Sequence, residues 1–354
     1  MLTKKHFSRF RESLVPLPNL VEGQINSYKW FLEKGLNEVF NEFSLTKDYT
    51  EKKFEFHFQG IRLDRPKYDE FYAKENKVNY EATIKATIKL VNHVTGTEKE
   101  QEIFMSEVPM MTEHGTFIIN GIERCIVPQL ARSFGAFFTS DEHKGKNYIG
   151  AKIIPARGSW IEINTDTDTC VYVKIDKKRK FPVTTLLRAL GAGTDSDIKD
   201  LFGDDANIKS YIEHTLAKDH TKTQDEAVVE IYKKMRDGEL ATVQNAKDFV
   251  ENMFKAERYD FSRVGRFRFN SRFGKSMEEK ELVRNTLNLD DFVTLISHIC
   301  NMTNIPESEA DDVDHLGSRR VRFVGEQLQQ KVRLGLLQIK KNVQNRMSTI
   351  ESDV

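Results

Sequence analysis

The stretch VNYEATIKATIKLVNHVTGTEKEQEIFM, residues 78–105, decides the fold class of the first part of the chain. Apolar and polar residues alternate on both sides of Thr95 and Gly96, and a period of two is typical of strands that bury one face. The Thr-Gly pair is typical of a tight reversal. The stretch therefore predicts a β-hairpin.

Neighbouring segments extend this sheet and add helices. The segments FEFHFQGIRL (54–63) and GTFIIN (115–120) alternate in the same way, and Asn120-Gly121 is a strong turn signal. Residues 18–45 instead repeat apolar side chains at helical spacing, which predicts an amphipathic helix or a pair of helices. These apolar positions are Ile25, Tyr28, Phe31, Leu32, Leu36, Val39 and Phe40.

A second mixed region follows. Residues 148–175 predict another sheet, closed by the basic turn DKKRK at 176–180, and Pro182 precedes a predicted helix, TTLLRAL. Residues 195–255 and 289–302 read as charged and amphipathic helices. The predicted fold class is therefore α+β, with two mixed domains.

The last segment, residues 321–354, predicts one long helix or a bent pair. An apolar stripe of this kind needs a partner surface, which could lie in the first domain or on another chain. The stripe consists of Val324, Leu328, Val332, Leu336, Ile339 and Val343.

Charge and cysteine content narrow the functional classes. Lys plus Arg and Asp plus Glu both number 54, so the chain projects little long-range field and any nucleic-acid contact must be local. Cys125, Cys170 and Cys300 lie far apart without metal-binding or disulfide spacing, which favours a reducing compartment.

The start of the chain predicts no signal peptide, because charge interrupts MLTKKHFSRFRESL every few residues. No apolar run approaches the roughly 20 residues that cross a bilayer. We therefore expect a soluble, cytoplasmic protein without membrane contact.

Catalytic signatures are missing from the sequence. GAGTD at 191–195 follows a predicted helix rather than a strand, and neither HExxH nor GxSxG occurs. Asp312, Asp314 and His315 could ligate a metal, but one acidic cluster is weak support and a capped turn is the simpler interpretation. We expect no catalytic residue, no metal and no cofactor.

The segment RYDFSRVGRFRFNSRFGK, residues 258–275, interleaves arginine and phenylalanine. It could form a stacking strip for single-stranded nucleic acid. It could equally be a strand with Phe inward and Arg outward, which we favour. The basic turn at 176–180 leaves a similar choice between phosphate contact and a solvated tip.

Four long segments, in order along the chain, resemble the N-terminal portion of the β subunit of bacterial RNA polymerase. The similarity is collinear from about Pro18 to Met347. The segments are NGIERCIVPQLARS (120–133), KIIPARGSW (152–160), RVGRFRFN (263–270) and DDVDHLGSRRVRFVGEQL (311–328).

The resemblance implies a discontinuous protrusion domain, residues 20–134 and 318–354, with a lobe domain, residues 135–317, inserted in it. In that family the two domains form one jaw over the main channel, and the β chain continues into the catalytic parts. The resemblance therefore implies a non-catalytic piece of a longer or split subunit, and it implies that the final helix packs on the first domain.

The family's pocket for an unstacked non-template base, often guanine, maps onto Arg132, Val313, Asp314 and Arg319. Trp160 of the RGSW motif would stack the neighbouring flipped base. A structural ion pair between Asp314 and Arg319 is the alternative interpretation, and both interpretations can hold together.

Two further sites are implied by the resemblance. Val127 and Gln129 match a small part of the rifamycin pocket, where Pro128, Ala131 and Phe134 replace the usual Ser, His and Pro. Glu98, Lys99 and Glu100 match the strand on which transcription-repair coupling factor and related regulators dock by strand addition.

Glu98 stands where that docking motif often has an apolar residue, so a charged edge strand that prevents aggregation is the alternative there. Ser318 replaces a usual Asn in the last motif. The implied partners are the remaining β sequence, β′, α and sigma subunits, promoter and downstream DNA, and the docked regulators. An independent nucleic-acid-binding module remains the rival function, although the neutral charge argues against it.

Overall fold

A computed structural model of the chain describes residues 18–143, 145–236, 238, 240–303 and 310–350. The predicted absence of a signal peptide concerns residues outside these ranges. The chain forms two compact units: unit 1 comprises Met1–Leu130 and Val321–Val354, and unit 2 comprises Ala131–Arg320. These divisions fall a few residues from the predicted domain boundaries, and the names protrusion and lobe stay predictions.

The elements confirm the predicted α+β class. In chain order the helices are α1 (Glu22–Trp30), α2 (Leu36–Glu42), α3 (Glu70–Glu75), α4 (Val183–Ala189), α5 (Asp195–Asp200), α6 (Ala206–Lys218), α7 (Gln224–Met235), α8 (Val243–Phe254), α9 (Ser262–Phe273), α10 (Glu279–Leu282), α11 (Leu289–Thr303) and α12 (Val324–Thr349). A π-helical turn, Phe31–Gly35, joins α1 to α2, and a 3-10 turn covers Leu316–Ser318.

The strands follow the same order. They are β1 (Leu45–Lys47), β2 (Phe54–Leu63), β3 (Glu81–Asn92), β4 (Thr97–Pro109), β5 (Phe117–Ile119), β6 (Ile122–Arg124), β7 (Gln129–Arg132), β8 (Gly135–His143), β9 (Lys146–Ile154), β10 (Ile161–Thr165), β11 (Val171–Ile175), β12 (Phe181–Pro182) and β13 (Arg319–Arg322).

The main sheet of unit 1 has the strand order β1-β2-β3-β4, with antiparallel neighbours. The predicted hairpin is confirmed as β3 and β4, where Asn92 pairs with Thr97. The Asn92 side chain accepts hydrogen bonds from the backbone N–H groups of Val94 and Thr95, and Gly96 takes φ 68°, which favours glycine. Strand β4 ends the sheet as an edge strand.

Helix α12 packs in unit 1 against the α1–α2 segment, as the resemblance implied. Val324 and Leu336 share a core with Tyr28 and Phe31. A Cβ at residue 325 would lie 2.1 Å from the Ser27 carbonyl oxygen, so only glycine permits this approach of α12 to α1. Further along α12, Ile339 is exposed, so the predicted stripe is covered mainly in its N-terminal half.

Unit 2 contains a five-stranded sheet of order β12-β11-β10-β9-β8, with helices on one face. Strands β10 and β11 alternate buried and half-buried residues, as expected for a sheet with one covered face. Its core joins Ile161, Ile163 and Val173 to helix residues such as Leu187 and Leu295. The predicted second sheet and the following helices are confirmed, but the sheet begins earlier, at Gly135, and the turn at 176–180 does not close it, because β12 follows and pairs with β11.

The predicted strand at 258–275 is wrong, because these residues form helix α9. The Arg-Phe alternation fits a strand, but Gly265, Arg266, Phe269 and Asn270 are buried together at helical spacing. Gly274 ends the helix in the left-handed conformation, φ 60°.

Burial of Arg266 made the sequence pattern misleading, since arginine normally marks a solvent face. Its Nη1 donates to Asp291 Oδ1 at 3.0 Å, and both side chains are fully buried. The carbonyl oxygens of Arg284 and Thr286 accept from the same guanidinium. Burial lowers the pKa of Arg266, and the Asp291 carboxylate opposes this shift.

The chain passes between the units in β7 and β13, and these two strands pair with each other. Cys125 is exposed, whereas Cys170 and Cys300 are buried, and all three are free thiols. Across the described ranges, no helix is both long and apolar enough to span a bilayer.

Candidate nucleic-acid interface

The turn before β13 is organised by Asp312. Its Oδ1 accepts hydrogen bonds from the backbone N–H groups of Asp314, at 2.9 Å, and His315, at 3.1 Å. His315 Nδ1 in turn accepts from Gly317 N–H at 3.0 Å. Asp312 and His315 are thus used as turn acceptors, which is the capped-turn interpretation.

The Asp314 side chain projects from this turn and meets Arg319. Arg319 Nη2 donates to Asp314 Oδ1 at 2.6 Å, while 80% of the Asp314 side chain and 34% of the Arg319 side chain remain exposed. The pair is therefore formed in solvent rather than in the core. Its remaining donors and acceptors are available to a ligand.

Asp311 fixes the start of this turn to strand β8 and helix α9. The Phe138 N–H donates to Asp311 Oδ2 at 2.7 Å, and Asp311 N–H donates to the Phe138 carbonyl at 2.9 Å. Arg272 Nη1 contacts both Asp311 oxygens, at 2.8 and 2.7 Å, and its guanidinium lies 4.4 Å from the Phe138 ring centroid.

Arg268, one helical turn before Arg272, reaches the other end of the same turn. Its Nη2 donates to the Gly317 carbonyl at 3.0 Å. Helix α9 thus holds the turn at two points through arginines spaced by four residues. The sequence analysis missed this role because it favoured a strand there; a helical interpretation of Arg268 and Arg272 would have placed them on one face.

His298 lies beside this anchor, 4.8 Å from the Phe138 ring centroid. Burial lowers the pKa of His298, and the Arg272 guanidinium lowers it further, while Asp311 opposes the shift. The lowered pKa favours the neutral imidazole beside the Arg272–Asp311 pair.

Trp160 is positioned by the RGSW segment and the basic turn. The backbone N–H of Trp160 donates to Asp176 Oδ1 at 2.8 Å, and the backbone N–H of Asp176 donates to the Trp160 carbonyl at 2.9 Å. Arg157 exchanges backbone hydrogen bonds with Asp260, and a Cβ on Gly158, φ 114°, would lie 2.6 Å from the Tyr259 ring. With 36% of the residue exposed, the indole offers a stacking surface.

Arg132 is the last residue of β7. The next residue, Ser133, donates its backbone N–H to the carbonyl of Ser318 at 2.9 Å, and Ser318 directly precedes Arg319. Arg132 is exposed, and its guanidinium makes no hydrogen bond or ion pair to another described residue. Val313 is half-buried between Asp312 and Asp314. Four of the five predicted DNA-contacting residues therefore lie on the two segments joined by the Ser133–Ser318 bond, whereas Trp160 stands at the start of β10.

The predicted docking residues lie on the edge strand of unit 1. Glu98, Lys99 and Glu100 are exposed and pair with Val91, Leu90 and Lys89 of β3. Lys89 Nζ lies 2.7 Å from a Glu98 carboxylate oxygen. The register shifts by one residue where Ser106 pairs with Ile84 and Phe104 with Lys85, and the pairing then continues to Pro109.

Val127 and Gln129, the predicted remnant of a drug pocket, are both exposed. Gln327 Nε2 donates to the Val127 carbonyl at 3.3 Å, which ties this segment to α12 within unit 1. Throughout the described ranges, no three His, Cys, Asp or Glu side chains gather as metal ligands.

Comparison with known proteins identifies the class. Residues 136–322, nearly the whole of unit 2, match the protein family described as RNA polymerase Rpb2, domain 2. The chain belongs to this family.

Similar proteins are bacterial polymerase subunits. The DNA-directed RNA polymerase subunit beta of Clostridium kluyveri is 34% identical over 458 residues, covering 99% of this chain and 37% of that subunit. The corresponding subunit of Clostridioides difficile strain 630 is 36% identical over 454 residues, covering 98% and 36%. That of Clostridium botulinum strain Hall is 47% identical over 273 residues, covering 76% and 22%. The chain thus spans 37% or less of each of these relatives.

Proposed function

We propose that this chain is the N-terminal portion of a bacterial RNA polymerase β subunit and acts in DNA-templated transcription. The family match across unit 2 and the collinear relatives support the assignment. In this proposal units 1 and 2 are the protrusion and lobe domains and contribute one jaw of the main channel. The chain contributes no catalytic residue, and nucleotidyl transfer belongs to the assembled enzyme.

The proposed contact with DNA involves Arg132, Trp160, Val313, Asp314 and Arg319, which bind an unpaired non-template base and its neighbour at the bubble edge. The observation that carries it is the solvent-exposed Asp314–Arg319 pair on a turn anchored by two arginines. Because the turn is already held in place, less conformational entropy is lost when a ligand binds.

The side chains of the proposed pocket are chemically suited to bind guanine. A carboxylate can accept from the ring N–H and the exocyclic amine of an unpaired guanine, whereas adenine offers no such pair of donors on that edge. Arg132 and Arg319 can contact phosphate or base-edge acceptors. Trp160 provides an aromatic platform for the next base, a contact worth roughly 1–3 kcal/mol in single-strand binders.

The proposed regulator dock is the β4 edge at Glu98, Lys99 and Glu100. An exposed edge strand supplies the main-chain donors and acceptors that strand addition needs. Transcription-repair coupling factor or a similar regulator is the proposed occupant, and the charged Glu98 limits its affinity.

The remaining proposed partners are the rest of the β sequence, the β′, α and sigma subunits, and promoter and downstream DNA, in the cytoplasm and without a cofactor on this chain. Val127 and Gln129 would form a minor part of a rifamycin pocket whose main part lies elsewhere in the enzyme. We therefore expect no detectable rifamycin binding by this chain alone.

The proposal is tested with polymerase assembled from this chain and the remaining subunits. Forked DNA carries either guanine or adenine as the unpaired non-template base, and affinity is measured for each. Asp314→Ala should abolish the preference for guanine, and Trp160→Ala should weaken binding of both forks. Asp168→Ala, an exposed acidic residue elsewhere in unit 2, is the matched control and should change neither. An unchanged guanine preference in Asp314→Ala would refute the proposed pocket.

A further inference from the structure

The face of the unit 2 sheet that points away from the main helical core carries aromatic, amide and basic side chains that the proposed function does not use. Ile161 and Ile163 of β10 are fully buried toward the helices, so Glu162 and Asn164 lie on the opposite face. Trp160 directly precedes β10 and is tied to Asp176, in the turn after β11, by a hydrogen bond from the Asp176 N–H to its carbonyl. The face therefore begins two residues after the proposed base-stacking residue.

Two tyrosines stand at the far end of this face. Tyr172 of β11 pairs directly with Asn164, and Tyr148 of β9 lies two residues from Gly150, the partner of Asn164 on the other side. Both tyrosines and Asn164 line a groove of about 420 Å³. The two tyrosines thus place aromatic rings at the end of this face that lies opposite Trp160.

Gly150 makes room for the floor of the groove. A Cβ at that position would lie 2.0 Å from Asn164 Oδ1, so the Asn164 carboxamide lies over the glycine backbone. This half-buried carboxamide makes no hydrogen bond to another described residue. Its donors and acceptor are therefore available to a base edge, which asparagine can contact in bidentate fashion.

Basic side chains line the path between the aromatic ends. Lys152 and Lys174 flank Glu162 in register, and Lys177 and Lys178 are exposed in the turn beside Trp160. Lys180 Nζ lies 4.6 Å from the Tyr172 ring centroid and 2.6 Å from Asp166 Oδ2. These lysines can contact phosphates, although the face also carries the carboxylates of Glu162, Asp141 and Asp166.

We propose that this face binds single-stranded DNA, with Tyr148 and Tyr172 stacking unpaired bases, Asn164 contacting a base edge and Lys152 and Lys174 contacting phosphates. A sheet face with aromatic platforms and basic neighbours is a known solution for single strands. The proposal rests on the proposed function for its starting point, Trp160. Trp160 and Asn164 are separated by about 13 Å along the strand, so roughly two to four further nucleotides span the face.

The test measures fluorescence anisotropy of the full chain with a labelled oligodeoxynucleotide of about twelve nucleotides, within the site sizes of single-strand binders. Tyr172→Leu and Tyr148→Leu should each weaken binding about 5- to 30-fold. Tyr172→Phe keeps the ring and should bind as the original chain does. Phe71→Leu, which removes an exposed aromatic residue of α3 in unit 1, is the control and should have no effect.

An oligonucleotide of the same length with abasic sites identifies stacking as the cause. It should bind more weakly, and Tyr172→Leu should not weaken it further. Equal affinity of the original chain and both leucine variants for the normal oligonucleotide overturns the proposal, and so does an absence of binding by all of them. An equal loss for normal and abasic strands overturns the stacking role.

The two proposals fail in different ways. If Asp314→Ala removes guanine preference in the assembled enzyme but the tyrosine variants bind normally, the sheet-face proposal falls and the proposed function stands. If the tyrosine variants lose single-strand binding while Asp314→Ala and Trp160→Ala change nothing in the enzyme, the base pocket falls and the sheet face stands.

Discussion

Arg319 donates a hydrogen bond to Asp314 at 2.6 Å, and 80% of the Asp314 side chain is exposed to solvent. Exposed ion pairs typically contribute about 0–1 kcal/mol to folding, because water screens them and ordering two side chains costs entropy. We therefore predict that Asp314→Ala changes the free energy of unfolding by less than about 1 kcal/mol. Urea denaturation measures this change. A loss well above that range would make the pair a structural element.

The Arg266–Asp291 pair should behave in the opposite way. Asp291 is fully buried and accepts from Arg266, Lys275 and Arg284. Asp291→Ala leaves the fully buried Arg266 without its counter-charge and should destabilise unit 2 by about 3–5 kcal/mol. Asp290→Ala alters the neighbouring carboxylate, whose side chain is 83% exposed, and serves as the control in the same denaturation experiment. Equal stabilities of the two variants would contradict this account.

Asp48 should make unit 1 sensitive to acid. Burial acts to raise the pKa of Asp48, but hydrogen bonds from the Thr50 hydroxyl and from the N–H groups of Phe54, Lys53 and Thr50 outweigh it and hold the pKa well below its usual range. The ionised form is favoured by folding, so its stabilisation is complete above the ordinary Asp pKa of about 3.9 and is lost as the pH falls below it.

We predict that Asp48→Asn unfolds more easily at neutral pH and loses less further stability between about pH 5 and pH 3 than the original chain. Thermal melts across this range measure both effects. Glu113→Gln, an exposed acidic residue of a turn in the same unit, should leave the pH profile unchanged. If the thermal stability of Asp48→Asn and of the original chain depended on pH in the same way, Asp48 would not be the cause of the acid sensitivity.

The edge-strand proposal predicts a gain of function. Glu98→Ile replaces a charged side chain, paired with Lys89, by the apolar type that the family's docking motif often has at this position. Binding of the isolated polymerase-interacting domain of transcription-repair coupling factor should strengthen by about fivefold or more, since burying an apolar side chain contributes about 1.5–3 kcal/mol. Glu113→Ile, off the edge, is the calorimetric control, and unchanged binding by Glu98→Ile would contradict docking on this strand.

The sequence alone predicted those elements whose pattern is local. Alternation and the Thr95-Gly96 turn defined the β3–β4 hairpin, and the apolar stripe from Val324 to Val343 defined α12. Helix α9 was missed because its alternation of Arg and Phe is also typical of a strand. The burial of Arg266 depends on its contact with Asp291, which is 25 residues further along the sequence. Tertiary pairing of this kind leaves no periodic signal.

The contacts of the candidate site likewise fall into those that the sequence could suggest and those that it could not. Asp314 and Arg319 lie five positions apart, so their pairing could be considered from the sequence. The contact between Arg272 and Asp311 joins residues 39 positions apart, and the contact of Arg268 with the Gly317 carbonyl involves a backbone atom of no particular residue type. Neither can be deduced without coordinates.

The most direct test of the base pocket compares guanine with inosine, which lacks the exocyclic amine, as the unpaired non-template base bound by the assembled polymerase. If Asp314 accepts from that amine, the original enzyme should bind guanine about tenfold more tightly than inosine, because a hydrogen bond to a charged group typically changes affinity by about this factor. Asp314→Ala should bind the two bases equally. Retention of the full guanine preference by Asp314→Ala would contradict the central claim.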